Sequence, residues 1–132
     1  MSLHSSADGL KINWINYKTG IKHLTFRMQA DNRSACIMIE MAQPDMDIQE
    51  LMFAQFKELS KMLDGFLNEE WNWELHVPNE HDKMVSRISK CIDDVSIFKQ
   101  GDWPELISFF KPRIIALDEF WSNAQYGFEL FK

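Results

Sequence analysis

Glu74 and His76 are the residues whose types and spacing are best suited to chemistry. Two positions apart in a strand, a carboxylate and an imidazole point to the same face, and Glu40 or His81 nearby would complete a ligand set for a divalent ion. The solvated side of a sheet carries such pairs routinely, and no second His or Cys stands at ligand spacing. We therefore expect no bound metal.

Nucleophilic catalysis has little support, because Ser86 and Ser108 lie in no glycine-rich elbow. Neither Cys36 nor Cys91 is close to a His in the sequence, and both stand among apolar residues, which favours free buried thiols over a disulfide. The glycines are isolated, whereas a phosphate-cradling loop needs them clustered. We therefore expect no cofactor, and we favour a protein that is not an enzyme.

The composition is typical of one globular domain. Of 132 residues, 45% are hydrophobic, and 10 Phe and 5 Trp supply more apolar surface than a disordered chain carries. We expect a single folded domain over residues 10–132, after a disordered or tag-like stretch over residues 1–9.

No segment approaches the roughly 18 apolar residues of a membrane span. The N-terminus lacks the features of a signal peptide, so we predict a cytoplasmic protein.

Basic residues gather near the N-terminus, although the net charge of the chain is −6. Lys18, Lys22, Arg27 and Arg33 fall on or beside the first predicted hairpin. They form a candidate surface for single-stranded nucleic acid, because neutralising phosphates supplies much of the affinity in such complexes. The alternative, which we favour, is that they are the solvated face of two strands.

Alternation of apolar and polar residues predicts a meander of three antiparallel strands, followed by a helix and a two-stranded hairpin. For residues 84–91, the second strand of the hairpin, a short helix is the alternative. The third strand is apolar on both faces, which is typical of a central position. The predicted strands cover residues 11–17, 21–30, 35–42, 71–77 and 84–91, with a short edge strand over residues 95–98.

The hydrophobic period changes to 3.6 after Pro44, which predicts an amphipathic helix over residues 47–64 with Asp47 as its N-cap. A second helix begins near Trp103. Its apolar side stays in phase across Pro112, which favours a kinked helix, or two nearly collinear helices, over a sharp reversal. The apolar stripe of the first helix consists of Ile48, Leu51, Met52, Phe56, Leu59, Leu63 and Phe66.

Two aromatic residues of the second helix, Phe109 and Phe120, lie off its main apolar stripe. Exposed aromatic side chains are enriched where proteins bind one another. We therefore predict that these residues form an interface, and that the protein is a homodimer or binds a protein partner.

A series of short segments is distinctive: NYKTG, FRM-x-AD, I-x-IE, IQEL, FKEL, EEW-x-WELH, SRI, DWP-x-LISFFKPR and ALDEFW. They resemble a bacterial family known only as a domain of unknown function, over about residues 10–130. Members of that family occur alone or at the C-terminal end of proteins that begin with a nuclease-like domain. The resemblance implies the fold and an association with nucleic-acid-processing or defence proteins, but no activity.

Members of this family usually begin with a helix before the first strand. With that helix, the order of elements is helix, three-strand meander, helix and strand, which is similar to the core of PD-(D/E)XK nucleases. That likeness implies an Asp on one strand and Glu-x-Lys on the next, which hold a metal ion and orient water. Asp31 and Glu40 stand at about those places, with Glu74 as a third carboxylate, but Ala42 occupies the position of the lysine. A degenerate core is favoured over an active one.

The sequence as a whole predicts a two-layer α+β domain, with a mostly antiparallel sheet of about five strands covered on one face by helices. The favoured function is a non-enzymatic interaction or accessory module. The alternatives are a metal-dependent phosphodiesterase and a protein that binds single-stranded nucleic acid.

Overall fold

The computed structural model describes residues 12–17, 19–79 and 81–131. The stretch over residues 1–9 and Lys18 lie outside this part of the chain. In chain order the strands and α-helices are β1 (Ile12–Tyr17), β2 (Leu24–Ala30), β3 (Ser34–Met41), α1 (Met46–Glu58), α2 (Ser60–Leu67), β4 (Asn72–Pro78), β5 (Met84–Asp93) and α3 (Trp103–Ala124), with short 3₁₀ helices over Gln100–Asp102 and Gln125–Phe131.

The strands form one antiparallel sheet in the order β1-β2-β3-β5-β4, and the α+β fold is confirmed. The meander β1-β2-β3 and the hairpin β4-β5 are as predicted, and β5 returns to pair with β3. This places β3 at the centre. Ile37 and Ile39 on one face of β3 are 0% exposed, and Met38 on the other face is 4% exposed, which explains why both faces read as apolar.

The predicted edge strand over residues 95–98 is a loop, because β5 ends at Asp93. The loop follows the turn between β2 and β3 and makes two backbone hydrogen bonds to it. The Val95 nitrogen donates to the Arg33 carbonyl at 3.2 Å, and the Ile97 nitrogen donates to the Asp31 carbonyl at 3.0 Å. These two hydrogen bonds attach the loop to the sheet, but the loop does not add a strand to the sheet.

Cys36 and Cys91 form a disulfide between β3 and β5, so the expectation of two free thiols is wrong. The two residues are direct partners in the β3–β5 register. Side chains that face each other across neighbouring strands lie within the reach of a disulfide. The residues are 55 positions apart in the chain, so only the pairing of distant strands reveals their proximity.

The helix predicted over residues 47–64 is two helices, α1 and α2, which meet at Leu59. Asp45, not Asp47, is the N-cap of α1. Its Oδ1 accepts hydrogen bonds from the backbone nitrogens of Asp47 at 2.8 Å and Ile48 at 3.4 Å. The N-cap therefore lies two residues before the predicted one, and α1 ends at Glu58, before the predicted helix is complete.

The apolar stripe predicted for α1 is correct only in part. Met52 and Phe56 are fully buried, but Ile48 and Leu51 are 43% and 62% exposed. Gln49 takes the inward position in the first turn and is 0% exposed. Since positions 49, 52 and 56 lie on one side of a helix, that side faces the sheet and the side with Ile48 and Leu51 faces outward.

The helix α3 runs through Pro112, as predicted. Trp121 anchors it to the sheet: its indole Nε1 donates to the Thr19 carbonyl at 2.9 Å, and its ring meets the Phe26 ring edge-on at 5.9 Å. No helix in the described part of the chain, α3 included, is both long enough and apolar enough to cross a membrane.

The predicted interface residues Phe109 and Phe120 lie in the core, at 4% and 0% exposed. The Phe120 ring contacts the Phe66 ring of α2 at 6.5 Å, and the Arg113 guanidinium lies 4.3 Å from the centre of the Phe109 ring. The helix α3 packs against both the sheet and α2. These two contacts bury more of its circumference than the main apolar stripe alone. The structure corrects the expected interface accordingly.

Glu69 fastens the segment after α2 to α3. Its carboxylate accepts hydrogen bonds from Arg113, Nε at 2.8 Å and Nη2 at 2.9 Å, and from Trp71 Nε1 at 2.9 Å. Burial raises the pKa of Glu69, but the hydrogen bonds from Arg113 and Trp71 outweigh burial and hold this pKa below its ordinary value. The carboxylate is therefore a structural anion rather than a proton donor.

Candidate functional site

Asp31 and Glu40, the candidate metal carboxylates, are not brought together. Asp31 lies in the turn between β2 and β3, where its Oδ1 accepts hydrogen bonds from the backbone nitrogens of Arg33 and Ser34 at 2.9 Å. Glu40 pairs with Thr25 in the β2–β3 register, and Asp31 lies six residues beyond Thr25. At the rise of a strand this is about 20 Å, too far for one ion.

Glu40 is engaged by Arg27 on the face of the sheet opposite the helices. Nη1 of Arg27 lies 2.8 Å from one oxygen of the carboxylate and 2.9 Å from the other. The two residues are 8% and 6% exposed. Arg27 is therefore not part of a basic surface, and the Glu40 carboxylate already has a cation as its partner.

Arg87 separates the two carboxylates that do share a face. In the sheet register it pairs with Glu40 on β3 and with Glu74 on β4. Its Nε lies 3.3 Å from Glu74 Oε1. Within the described residues no group of three His, Cys, Asp or Glu side chains is placed to hold a metal. Two of the three predicted carboxylates, Glu40 and Glu74, thus belong to ion pairs on this face of the sheet.

Glu74 and His76 do not share a face either, because the β4–β5 register is irregular between Glu74 and Val77. The His76 ring Nε2 lies 3.2 Å from the Met46 carbonyl at the start of α1, on the helix side of the sheet. His81 lies in the exposed turn of the hairpin. The imidazoles and carboxylates of the predicted metal site are therefore apart.

Ser86 is a structural hydroxyl rather than a nucleophile. It is 0% exposed, donates to Gln49 Oε1 at 2.6 Å and accepts from the His76 backbone nitrogen at 3.0 Å. The Gln49 amide nitrogen in turn donates to the carbonyls of Gln43 at 3.0 Å and Met84 at 3.1 Å. This network fixes α1 against β4 and β5.

The two remaining basic candidates within the described residues, Lys22 and Arg33, do not form a strip. Lys22 lies in the turn before β2, and Arg33 lies in the turn after it. The 7 residues of β2 between them correspond to about 23 Å. With Arg27 buried, the described cations are scattered over the two ends of the hairpin.

An open apolar groove of about 580 Å³ lies between α1 and the C-terminal 3₁₀ helix, and we call it the α1 groove. Ile48 and Leu51 line it from α1, and Leu130 lines it from the 3₁₀ helix at 95% exposed. A Cβ on Gly127 would lie 2.9 Å from Gln55 Nε2, so glycine permits this close approach of the two walls. The rest of the lining is Lys22, His23, Gln43, Pro44, Asp45 and Phe131.

A second feature of the surface is a stripe along the outer side of α3, which we call the α3 stripe. Lys111, Ile115 and Glu119 stand four residues apart and are all exposed, Ile115 by 47%. Ser108 and Ser122 extend the stripe at its two ends and are also exposed. The cation of Lys111 and the anion of Glu119 therefore lie at equal distances from Ile115, on either side of it.

Comparison with known proteins identifies a family but no function. No curated protein and no solved structure matches the chain significantly. A family model matches residues 1–125, and its description assigns no activity. The chain therefore belongs to the family described as a domain of unknown function, DUF4268.

Proposed function

We propose that this protein is a non-enzymatic interaction module that works as a homodimer through the α3 stripe. The observation that carries the proposal is the self-complementary order of Lys111, Ile115 and Glu119 on the exposed side of α3. A two-fold interface requires one surface to match itself, so that each residue meets its complement in the second copy.

Antiparallel packing of α3 on α3 about an axis at Ile115 satisfies this condition. Lys111 of each copy then lies opposite Glu119 of the other, four residues from the axis on either side, and the two Ile115 side chains meet. Ser108 of each copy lies opposite Ser122 of the other. These short side chains let the helices approach closely near both ends of the stripe.

The dimer is expected to be weak. The 22 residues of α3 span about 33 Å. Contact along one helix buries less than the roughly 1,200–2,000 Å² of a stable interface. Each exposed Lys–Glu pair contributes at most about 1 kcal/mol, so the charges select orientation more than they add affinity.

The ion pairs inside the molecule support the non-enzymatic part of the proposal. Glu40, Glu69 and Glu74 each face an arginine. A carboxylate that is neutralised in this way is a poor general base and a poor metal ligand. An association with nucleic-acid-processing or defence proteins remains a prediction from the sequence. The cytoplasmic location is also a prediction from the sequence, and the disulfide between Cys36 and Cys91 is an argument against it, because disulfides are rare in cytosolic proteins.

Sedimentation velocity over a concentration series tests the dimer. The wild-type protein is expected to shift from monomer to dimer, and Glu119→Lys is expected to stay monomeric because two lysines then face each other. The exchange Lys111→Glu with Glu119→Lys restores the pairing and the dimer. Glu58→Lys makes the same charge change on the exposed side of α1 and leaves the dimer intact. A wild-type monomer at all concentrations contradicts the proposal.

A turnover assay tests the absence of activity. The wild-type protein is incubated with labelled single- and double-stranded oligonucleotides and Mg²⁺ or Mn²⁺, with and without EDTA. No cleavage above the EDTA control is expected. Cleavage that EDTA abolishes, and that copurifies with the protein through two columns, overturns the proposal.

A further inference from the structure

We propose that the disulfide between Cys36 and Cys91 is a site of thiol–disulfide exchange with small thiols, and that its redox state controls how firmly the end of β5 is held. In this exchange Cys91 is the attacked sulfur and Cys36 is the leaving group. The bond lies on the face of the sheet opposite the helices, since Cys36 alternates with the helix-facing Ile37 along β3. The inference is therefore independent of the α3 dimer.

The disulfide lies where β5 has a neighbouring strand on one side only. The pairing of β4 with β5 ends at Asn72 and Ser89, whereas the pairing of β3 with β5 continues to Asp93. In the described part of the chain, residues 90–93 of β5 are thus an edge of the sheet. Cys91 is exposed in this edge segment, and Cys36 on the central strand is half-buried. Exposed disulfides are typically the exchangeable ones.

The direction of attack selects Cys91. A thiolate displaces one sulfur from the other along the axis of the S–S bond, from the side opposite the leaving sulfur. The bond runs from β3 to β5, so a thiolate reaches Cys91 from beyond β5, where β4 has already ended. Attack on Cys36 comes from the side of β2, where Gln29 is the direct register partner of Cys36 and is 8% exposed. Cys91 is open to in-line attack, and Gln29 shields Cys36.

The exchange consists of two displacements that balance. A first small thiolate forms a mixed disulfide with Cys91, and Cys36 leaves as a thiolate that takes up a proton. A second thiolate then attacks the sulfur of the bound small thiol and releases Cys91. Two small thiols become one disulfide, and two electrons reduce the bridge to two thiols. The oxidised small thiol reverses the reaction, as is usual for the redox-sensing disulfides that occur in cytosolic proteins.

Beyond the bridge, β5 is held by β3 alone. Two further register pairs complete this ladder, Ala35 with Ile92 and Ser34 with Asp93. When the bridge is reduced, no covalent bond prevents these two pairs from opening. The part of β5 before Lys90 lies between two strands and stays in place. Reduction therefore loosens the end of the strand rather than the whole sheet.

The loop over residues 94–98 carries this effect towards α3. It begins at the end of β5, and its Val95 and Ile97 are 2% and 1% exposed while their backbone nitrogens bind the β2–β3 turn. The Ile97 carbonyl also accepts a hydrogen bond at 2.8 Å from Trp103 Nε1, at the start of α3. Opening of the strand end frees the loop from the turn and exposes these two apolar side chains. The oxidised bridge keeps them buried.

The kinetics of reduction test whether the bond is attacked in the folded protein. The wild-type protein is oxidised with oxidised glutathione, mixed with increasing dithiothreitol, quenched with excess N-ethylmaleimide and weighed by mass spectrometry. The rate is expected to rise in proportion to the dithiothreitol concentration and to be unaffected by urea below the unfolding transition. A rate that reaches a plateau and increases with urea means that only unfolding exposes the bond, and it overturns the proposal. Failure of the bridge to form also overturns it.

Peptide mapping identifies the attacked sulfur. The oxidised wild-type protein is treated briefly with reduced glutathione, and free thiols are blocked. Trypsin then separates the two cysteines, because it cleaves after Arg33, Lys57, Lys90 and Lys99. We expect the glutathione adduct on Cys91 in about tenfold or greater excess over Cys36. An adduct mainly on Cys36 overturns the assigned direction of attack.

Hydrogen exchange tests the effect on the structure. Reduction of the wild-type protein is expected to speed exchange of the Val95 and Ile97 amides by about tenfold or more without urea, because they open locally. The Ile88 amide, in the doubly paired part of β5, is expected to exchange only through global unfolding, which low urea accelerates. The double variant Cys36→Ser/Cys91→Ser is the matched control, with fast exchange at Val95 and Ile97 in both buffers. Equal exchange of these two amides in oxidised and reduced wild-type protein overturns the switch.

Discussion

Nη1 of Arg27 donates hydrogen bonds to both carboxylate oxygens of Glu40, across the pairing of β2 with β3. The pair is largely buried, at 10% and 8% side-chain exposure. Removing two charges from water is expensive, and the cost is recovered only while both partners remain. We therefore interpret the pair as structural, and we expect the loss of either partner to destabilise the fold.

Replacement of one partner tests this interpretation. Glu40→Gln removes the negative charge that faces Nη1 of Arg27 in this buried pair, and we expect a loss of about 3 kcal/mol in the free energy of unfolding. Urea denaturation followed by circular dichroism measures it. Glu74→Gln is the control, because the Glu74 side chain is 42% exposed and its loss costs less than about 1 kcal/mol. Equal stability of the two variants contradicts the role of Glu40.

The disulfide between Cys36 and Cys91 predicts a second effect on stability. The bridge spans 55 residues, and the entropy of the closed loop corresponds to up to about 4 kcal/mol. Cys91→Ser is expected to lose most of this stability, and the wild-type protein in dithiothreitol is expected to unfold like the variant. Two free thiols in the unfolded wild-type protein, measured without reductant, contradict the bridge.

The order of strands follows from local patterns, but the position of the cysteines does not. Alternation marks each strand, and the two apolar faces of β3 indicate its central place. The partner of β3 on its far side is a strand about 50 positions later in the chain. Sequence alone gives no register for that pairing, so the contact of Cys36 with Cys91 stays hidden.

The same reasoning explains why the α1 groove was missed. The sequence of α1 offers two possible buried sides. One includes Ile48 and Leu51, and the other, rotated about the helix axis by one residue, includes Gln49, Met52 and Phe56. Hydrophobicity favours the stripe without a glutamine. The structure selects the other, because Gln49 finds polar partners in the carbonyls of the neighbouring strand and loop. Only tertiary contacts decide between the two rotations.

Gln49 is therefore expected to be essential for the packing of α1. Gln49→Leu removes two donated hydrogen bonds and leaves the buried Ser86 hydroxyl without its acceptor. We expect a loss of about 2–4 kcal/mol in the free energy of unfolding. Gln55→Leu, a half-buried position on the same helix, is the control and changes stability by less than about 1 kcal/mol. A stable Gln49→Leu variant means that Leu packs where the amide did, and contradicts the requirement.

Glu69 gives the protein a specific dependence on pH. Because its pKa is lower in the folded chain than in the unfolded chain, its hydrogen bonds to Arg113 and Trp71 add stability above the ordinary pKa of glutamate, about 4.3. This contribution is lost as the pH falls from that value through the lowered pKa of the folded state. Stability is therefore expected to decrease on acidification.

Glu69→Gln separates this effect from general acid denaturation. The variant is expected to be less stable than the wild type by about 1–2 kcal/mol at pH 7, since charge-assisted hydrogen bonds are replaced by weaker ones at a site with 21% side-chain exposure. The difference is expected to shrink towards zero as the wild-type carboxylate becomes protonated. Glu70→Gln, at the exposed neighbouring position, leaves the pH profile unchanged. A constant difference between Glu69→Gln and the wild type at all pH values means that packing, not the charge, holds the segment to α3.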